Sequence, residues 1–223
     1  CSSDLLLRKL SKDVPGTFQH SLQVANLAEE AIYYIGGNTL LVRAGAMYHD
    51  IGKMSNPRFF TENQVGEVSP HEDLSSEESA QIIIDHVIKG IEIAKENKLP
   101  ETVIDFIRTH HGTTTTRFFL HNYKKEHAGE IINEDLFRYP GPIPFSKETA
   151  ILMMADGVEA SSRSLKKYDA IAIDELVDKI INHQISENQF MNADITFRDI
   201  NQIKKIFKKR LMNIYHVRIE YPR

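Results

Sequence analysis

Apolar residues recur at helical spacing along most of this chain. The clearest stretch follows Pro15 and places apolar residues three or four positions apart, at Phe18, Leu22, Ala25, Ala28 and Ile32. This is the spacing of one face of an α-helix. We expect Thr17 to be the N-cap of this helix and the Gly36-Gly37 pair to end it.

The same spacing predicts further helices over residues 39–52, 75–94, 100–112, 147–165, 172–188 and 197–213. The expected start signals are Asn38 or Thr39, Asp73 or Ser75, Pro100, Ser146 and Thr196. We expect a short helical segment at 118–123, a loop with one helical turn at 53–73, irregular structure at 139–144 and an extended tail at 217–222. With no strand–helix alternation and no Gly-rich nucleotide turn, the pattern predicts a single all-α domain over residues 1–223.

Composition narrows the classes of function. The 223 residues include 27 basic and 31 acidic side chains, a formal net charge of −4. This charge argues against a binder of polymeric nucleic acid, which needs a basic face. The single cysteine excludes an intrachain disulfide and a Cys-rich zinc site. Because ten histidines remain, any bound metal ion is expected to be held by imidazole and carboxylate groups.

The chain shows no sign of a membrane segment of its own. No run of 18 apolar residues occurs, so we expect this stretch neither to span nor to contact a membrane. The charged residues within positions 1–15 are unlike a signal peptide. Because the chain begins with Cys1 rather than Met, we expect a piece of a longer protein, whose other part could carry a membrane anchor.

Five histidines and two aspartates form the candidate chemistry. Two adjacent pairs are present, His49-Asp50 and His110-His111. The remaining candidates each lie in an otherwise apolar helical stripe: His20, His86 and Asp156. An imidazole or carboxylate buried among apolar side chains needs a partner, and a metal ion is one such partner.

Taken singly, these residues have ordinary explanations. A lone histidine on an apolar face is usually a hydrogen-bonded core residue, the His110-His111 pair would suit a helix C-terminus, and Asp50 could simply end a helix. Their joint occurrence on separate helices instead indicates a metal site. Seven candidate ligands are too many for one tetrahedral ion and suit two ions with a bridging carboxylate. Imidazole and carboxylate without thiolate suit Fe, Mn, Zn, Ni or Co.

The order of these seven residues resembles the HD-domain metallophosphohydrolases, in the variant that binds two metal ions. Several strings are similar to the cytosolic domain of PgpH-type seven-transmembrane HD proteins, which are cyclic di-AMP phosphodiesterases: residues 15–21 (PGTFQHS), 59–64 (FFTENQ), 69–74 (SPHEDL), 110–113 (HHGT), 139–142 (YPGP), 155–160 (ADGVEA) and 215–222 (YHVRIEYP). The resemblance runs from about residue 5 to the end of the chain. It implies an HD-domain helical bundle around a dinuclear metal site.

The resemblance also implies a ligand set and a reaction. One ion would be held by His20, His49, Asp50 and Asp156, and the other by Asp50, His86, His110 and His111, with Asp50 bridging. Two divalent transition-metal ions, Mn or Fe, would supply a bridging hydroxide that attacks phosphorus and opens cyclic di-AMP to the linear dinucleotide pApA. The family further implies the cytoplasmic domain of an inner or plasma membrane protein.

Three residues are expected to bind substrate. Lys53 follows the bridging Asp50 by three residues, so we expect it to be catalytic alongside Asp50 and to hold a phosphate oxygen; a solvated lysine is the alternative. Arg163 lies two helical turns after Asp156 and is expected to grip the second phosphate, although an ordinary surface arginine fits equally well. Thr113, in the string that follows the histidine pair, is the third candidate.

Other residues are expected to support the site. Glu159 is a candidate to hold a metal ligand from outside the metal centre. Adenine needs a stacking surface, and the candidates are Phe59, Phe60, Phe118, Phe119 and Tyr139.

The sequence motifs disfavour one branch of the HD family but leave several alternative functions open. The histidine pair is followed by residues 112–117 (GTTTTR) and not by the Gly-Tyr-Pro signature of the cyclic di-GMP branch, which disfavours that branch. Three alternatives stay open: an HD phosphohydrolase that acts on another nucleotide or cyclic dinucleotide, a non-catalytic nucleotide sensor, and a structural cluster that binds no metal.

Overall fold

The computed structural model describes residues 2–64 and 68–216. Within these residues the chain forms nine α-helices and no β-strand: α1 (Ser2–Asp13), α2 (Pro15–Ile35), α3 (Thr39–Tyr48), α4 (Ser76–Glu96), α5 (Glu101–Thr109), α6 (Arg117–Glu126), α7 (Lys147–Ser162), α8 (Ala170–Ser186) and α9 (Phe197–His216). The all-α prediction is therefore confirmed. The tail expected at 217–222 lies outside the described residues.

Most of the expected helix starts are confirmed by side-chain caps. The side chain of Asn38 accepts from the Leu41 backbone N–H, and Ser75 and Ser146 each form a reciprocal capping box. Thr196 and Asp199 also bond to each other's backbone N–H at the start of α9. Each of these contacts satisfies donors that the first helical turn leaves free.

Several expected helix ends are wrong: α5 ends at Thr109 and α7 at Ser162, each three residues before the expected end. Helix α2 begins at Pro15, not after Thr17, because proline is favoured in the first turn; Val14 is the N-cap and makes no side-chain bond. Helix α3 ends at Tyr48 and not near Gly52. The chain then tightens into a 3₁₀ segment over Ile51–Ser55, which turns it towards α4.

The main apolar core lies between α2, α3, α7, α8 and α9. Helices α2 and α7 supply fully buried faces to it, including Val24 and Leu27 on α2 and Ile151 and Leu152 on α7. Phe207 of α9 is also fully buried there. Burial of this apolar area is the main source of stability for such a bundle.

A second apolar cluster joins α1, α4 and α5 to the segment that follows α3. Ile51 and Ile107 are fully buried in it. At its edge Gly52 approaches α4 so closely that an added Cβ would lie 1.8 Å from the His86 carbonyl oxygen. Only glycine permits this approach, which brings the His49-Asp50 pair against the helix that carries His86.

Candidate metal centre

Five separate parts of the fold deliver the seven candidate ligands to one place. They are His20 on α2, His49 and Asp50 directly after α3, His86 on α4, His110 and His111 directly after α5, and Asp156 on α7. All are buried except His111, whose side chain is 26% exposed. The structure therefore brings together every residue that the sequence singled out as a metal ligand.

The first group of ligand atoms comes from His20, His49 and Asp156, which lie close enough to hold one ion. His20 Nε2 is 2.9 Å from Asp156 Oδ1. His49 Nε2 is 3.6 Å from the same oxygen. These three side chains are buried, so a cation between them would be shielded from solvent.

The second group comes from His86, His110 and His111, whose ring nitrogens also lie close enough to hold one ion. The Nε2 atoms of His86 and His110 are 3.1 Å apart. His111 completes the group from the solvent side, and its ring stacks on Tyr139 with a centroid separation of 4.2 Å. This stacking holds the most exposed ligand in place.

Asp50 lies between the two groups and turns one oxygen towards each. Oδ2 is 3.4 Å from His20 Nε2 and 3.3 Å from His49 Nε2. Oδ1 is 3.3 Å from His86 Nε2 and 3.6 Å from His110 Nε2. A single carboxylate thus faces both clusters, which is the geometry that two neighbouring cations require of a shared ligand.

In each buried histidine of the centre, a contact with the surrounding fold holds Nδ1, the ring nitrogen that faces away from the centre. In three of them Nδ1 bonds to the backbone carbonyl three residues earlier: His49 to Ala46, His86 to Ile83 and His110 to Ile107. In His20, Nδ1 instead contacts Glu159 Oε2 at 2.5 Å. Each contact orients its ring and leaves Nε2 directed into the centre, as is usual for metal-binding histidines.

At Asp50, His110 and His111 the pKa shifts favour the protonation states that bind a cation. Burial raises the pKa of Asp50, but His49 and Lys53 outweigh burial and hold it well below its ordinary value. Burial lowers the pKa of His110, and burial with the neighbouring His110 charge lowers that of His111 well below its ordinary value. Ionised carboxylates and neutral imidazoles are the forms that bind metal ions.

His20 and His49 differ from the other histidines of the centre. Burial lowers the pKa of each ring, but nearby carboxylates outweigh burial: Asp156 and Glu159 raise the pKa of His20, and Asp50 and Asp156 raise that of His49 to about 10. A cation in the centre would take the place of a proton on these rings.

Unsatisfied atoms test whether metal ions fit this centre. His49 Nε2 and Asp50 Oδ1 are buried and have no hydrogen-bond partner, and Asp50 Oδ2 is held by the ion pair with Lys53 Nζ at 2.8 Å without a well-directed hydrogen bond. Buried polar atoms in proteins almost always have partners, and a buried atom without one is costly. Divalent cations would satisfy these atoms. The donor set of imidazole and carboxylate, without thiolate, suits divalent transition metals.

Comparison with known proteins agrees with this geometry. The model of the family described as "HD domain" matches residues 17–161, well over half of the chain. The chain belongs to the HD domain family. This confirms the HD-domain fold that the resemblance of the sequence motifs implied.

Two relatives of this HD domain carry the same name. The chain is 44% identical over 217 residues to "Cyclic-di-AMP phosphodiesterase PgpH" of Bacillus subtilis and 43% identical over 217 residues to the protein of that name from Listeria monocytogenes. Each match covers 97% of this chain but 30% of the relative. The chain therefore spans about a third of the length of these relatives.

Solved structures match the whole bundle. The crystal structure of the L. monocytogenes phosphodiesterase PgpH HD domain is 42% identical, with a TM-score of 0.90, and the match covers 95% of this chain and 99% of that one. A structure of the same domain in complex with cyclic-di-AMP gives a TM-score of 0.91 at 42% identity, over 94% of this chain and 97% of that one.

The HD-domain centre opens into a mouth of about 400 Å³ that contains two of the expected substrate-binding residues. Lys53 Nζ lies 2.8 Å from Asp50 Oδ2 and 2.7 Å from Glu62 Oε1. Arg163 lies at the edge, held by two guanidinium contacts to Glu159 Oε1 at 2.7 and 3.0 Å. Glu159 thus joins Arg163 to His20, as a residue supporting a ligand would.

Thr113 has a different environment. Its backbone N–H donates to Gln189 Oε1, and its hydroxyl accepts from Gln189 Nε2, each at 3.0 Å. It lines neither this mouth nor the larger cavity beside it. The Thr113 side chain is therefore already hydrogen-bonded to a residue of the loop after α8.

A larger cavity of about 760 Å³ adjoins the mouth, and Thr61 lines both. Four of the five aromatic residues considered for stacking line it: Phe59, Phe118, Phe119 and Tyr139. Phe60 is instead buried beneath the centre, edge-on to His86 and 5.0 Å from Lys53 Nζ. His71 lies in the cavity wall between Phe59 and Phe119.

Glu62 is a residue of the site that sequence reasoning did not identify. Its only sequence signal was its place in the string at 59–64, and no periodic pattern places a 3₁₀ segment against another helix. Burial raises the pKa of Glu62, but Lys53 outweighs burial and lowers it. The site therefore contains a second carboxylate that engages the same ammonium as Asp50.

Proposed function

We propose that this HD domain is a metal-dependent phosphodiesterase that hydrolyses cyclic di-AMP to the linear dinucleotide pApA. The observation that carries the proposal is the Asp50 carboxylate, whose two oxygens face two separate groups of histidine nitrogens. The names of the relatives and of the solved complex supply the substrate. The proposed ions are Mn or Fe.

The proposed ligands follow the two groups of atoms. His20, His49, Asp50 and Asp156 would hold one ion, and Asp50, His86, His110 and His111 the other. Two divalent ions supply a hydrolytic nucleophile at neutral pH and offset the charge of the phosphate. The chain keeps Nε2 of its histidines directed inward and excludes solvent, because all but His111 are buried.

Two basic side chains at the mouth would bind the two phosphates of the substrate. Lys53 points an ammonium into the mouth beside Asp50, where it would donate to a non-bridging phosphate oxygen. Arg163, already oriented by Glu159, would donate to the second phosphate. For Thr113 we propose the smallest contribution, since it lines neither the mouth nor the adjoining cavity and its hydroxyl already accepts from Gln189 Nε2.

The adjoining cavity would accommodate an adenine. Its volume of about 760 Å³ and its aromatic wall suit a flat base that stacks on side chains such as Phe119 and Tyr139. Because Tyr139 also stacks on His111, a base in this cavity would lie directly beside the metal centre.

A chromatographic assay tests the proposal. Protein loaded with Mn or with Fe is incubated with cyclic di-AMP or cyclic di-GMP, and products are separated over time. We expect conversion of cyclic di-AMP to pApA, much faster than any conversion of cyclic di-GMP. Equal rates would refute the substrate assignment. Tight binding without turnover under either metal would identify a nucleotide sensor instead.

Among the described helices, none is long and apolar enough to cross a membrane. The proposed location, on the cytoplasmic side of a membrane protein, follows from the resemblance to PgpH-type proteins. Immunoblotting of membrane and soluble fractions from the native host, with an antibody against this domain, tests it. Recovery in the soluble fraction alone would contradict it.

A further inference from the structure

Two strings that the metal ligands do not explain meet beside the mouth. The Asn63 side chain accepts from the Thr17 backbone N–H at 3.0 Å and donates to the Thr17 hydroxyl at 2.7 Å. A Cβ on Gly16 would lie 1.8 Å from the Glu62 carbonyl oxygen, so only glycine lets the two segments touch. The 3₁₀ segment Thr61–Asn63 is thereby docked on the first turn of α2.

This docking places the Glu62 carboxylate at one defined point. Its Oε1 accepts from Lys53 Nζ at 2.7 Å and from the Thr17 hydroxyl at 3.2 Å. The Glu62 side chain is 13% exposed, as is that of Lys53, so neither contact is freely exchanged with water. A carboxylate held by the start of α2 therefore fixes an ammonium that belongs to the segment after α3.

We propose that Glu62 is a positioning residue that holds the Lys53 ammonium at the mouth of the metal centre, ready for a phosphate oxygen. This rests on the proposed function. A free lysine side chain has four rotatable bonds and loses rotamer entropy when it binds an anion. Glu62 restricts these rotamers before the phosphate arrives, with Phe60 beneath the ammonium as a third support.

The same contacts explain why the carboxylate lies where it does. Lys53 also touches Asp50, and the two carboxylates approach its ammonium at 2.8 and 2.7 Å. A charge-assisted contact to each restrains the ammonium between the shared ligand and the docked segment. Without Glu62, the restraints on Lys53 that remain among the described residues are Asp50 and the ring of Phe60.

A double-mutant cycle on phosphate binding tests the proposal. The affinity of Mn-loaded protein for inorganic phosphate is measured by calorimetry for wild type, Glu62→Gln, Lys53→Ala and the double variant. Glu148→Gln is the matched control, because Glu148 also accepts a hydrogen bond from another segment, the Asn38 backbone N–H, but lies outside the site. Hydrolysis of cyclic di-AMP is measured on the same samples.

We expect Lys53→Ala to weaken phosphate binding by ~10-fold and Glu62→Gln by ~5-fold, while Glu148→Gln has no effect. Because Glu62 acts through Lys53, the double variant should bind no more weakly than Lys53→Ala. Additive losses would overturn the proposal, as would unchanged phosphate binding in Glu62→Gln. If Glu62→Gln loses its helical circular dichroism, Glu62→Asp enters the same cycle and is judged by the same criterion.

The two measurements separate this inference from the proposed function. Wild-type protein that binds phosphate but does not hydrolyse cyclic di-AMP would refute the proposed function. The double-mutant cycle on phosphate binding would then still decide the role of Glu62. A wild-type protein that binds no phosphate with Mn present would overturn the role of Glu62 as well.

Discussion

Helices α2 and α7 each run through two regions that differ in how they are held together. Val24 and Leu27 of α2 lie in the same apolar core as Ile151 and Leu152 of α7, and all four side chains have 0% exposure. A short distance along the same helices, His20 and Asp156 meet in the metal centre. The two regions share a scaffold, and they use opposite kinds of side chain.

The two regions differ in what offsets the cost of burying their side chains. The apolar core needs only its own side chains, because removing apolar area from water is favourable in itself. The candidate metal centre buries charged and polar groups and leaves His49 Nε2 and Asp50 Oδ1 without a hydrogen-bond partner. Burial of such groups costs several kcal/mol unless they are paired. The core therefore stabilises the fold, whereas the candidate metal centre relies on the fold and, in the proposed function, on bound ions.

The largest effect is expected from Asp50→Ala, which should abolish hydrolysis, with a loss of at least ~1000-fold, and remove bound metal. The physical reason is that this carboxylate faces both groups of histidines. Activity and metal content by elemental analysis are measured together. The control is Asp174→Ala, which removes a surface contact to Lys208. Retention of most activity would refute the bridging role.

A smaller effect, on stability, is expected from Phe207→Ala in the apolar core. Loss of a fully buried ring should lower the free energy of unfolding by about 3–5 kcal/mol, measured by urea titration. Metal content per folded chain should not change. Phe197→Ala, on the same helix but 75% exposed, should change stability by less than about 0.5 kcal/mol. Loss of metal from folded Phe207→Ala would show that the two regions are not separable.

The smallest effect is expected from Glu159→Gln, at the boundary between the two regions. Glu159 contacts His20 Nδ1, and weakening such a contact typically costs about 10–100-fold in metal affinity. Competition with a chelator measures this affinity. Glu29→Gln on α2 is the control, since Glu29 pairs with Arg43 at the surface, away from the site. Equal metal affinities in Glu159→Gln and wild type would exclude a supporting role.

Much of the fold was predictable because helical periodicity and caps are local signals. The starts at Asn38, Ser75 and Ser146 were identified from residue type and spacing, and each makes the expected cap contact. Helix α1 was not anticipated, since its apolar residues Leu6 and Leu10 are interrupted by charges and become meaningful only when they are buried in the second cluster. Its stability comes from packing.

The metal centre was predictable to the level of residue type. Histidines and aspartates in apolar stripes are unusual enough to identify the ligand candidates, and the structure brings all seven together. The support around them was not predictable, because it depends on contacts between distant segments. Thr17 illustrates this point: expected to be a cap, it is bonded instead to Glu62 and Asn63, more than 40 residues away.

The sequence by itself therefore determined the all-α class, most helix starts and the identity of the candidate ligands, since these depend on spacing within one helix or on residue chemistry. Only the tertiary structure decided that Asp50 turns one oxygen to each group, that Tyr139 stacks on His111 and that Glu62 grips Lys53. These features arise from close approach of separate segments, such as Gly52 against α4, and no local pattern encodes the distance between two helices.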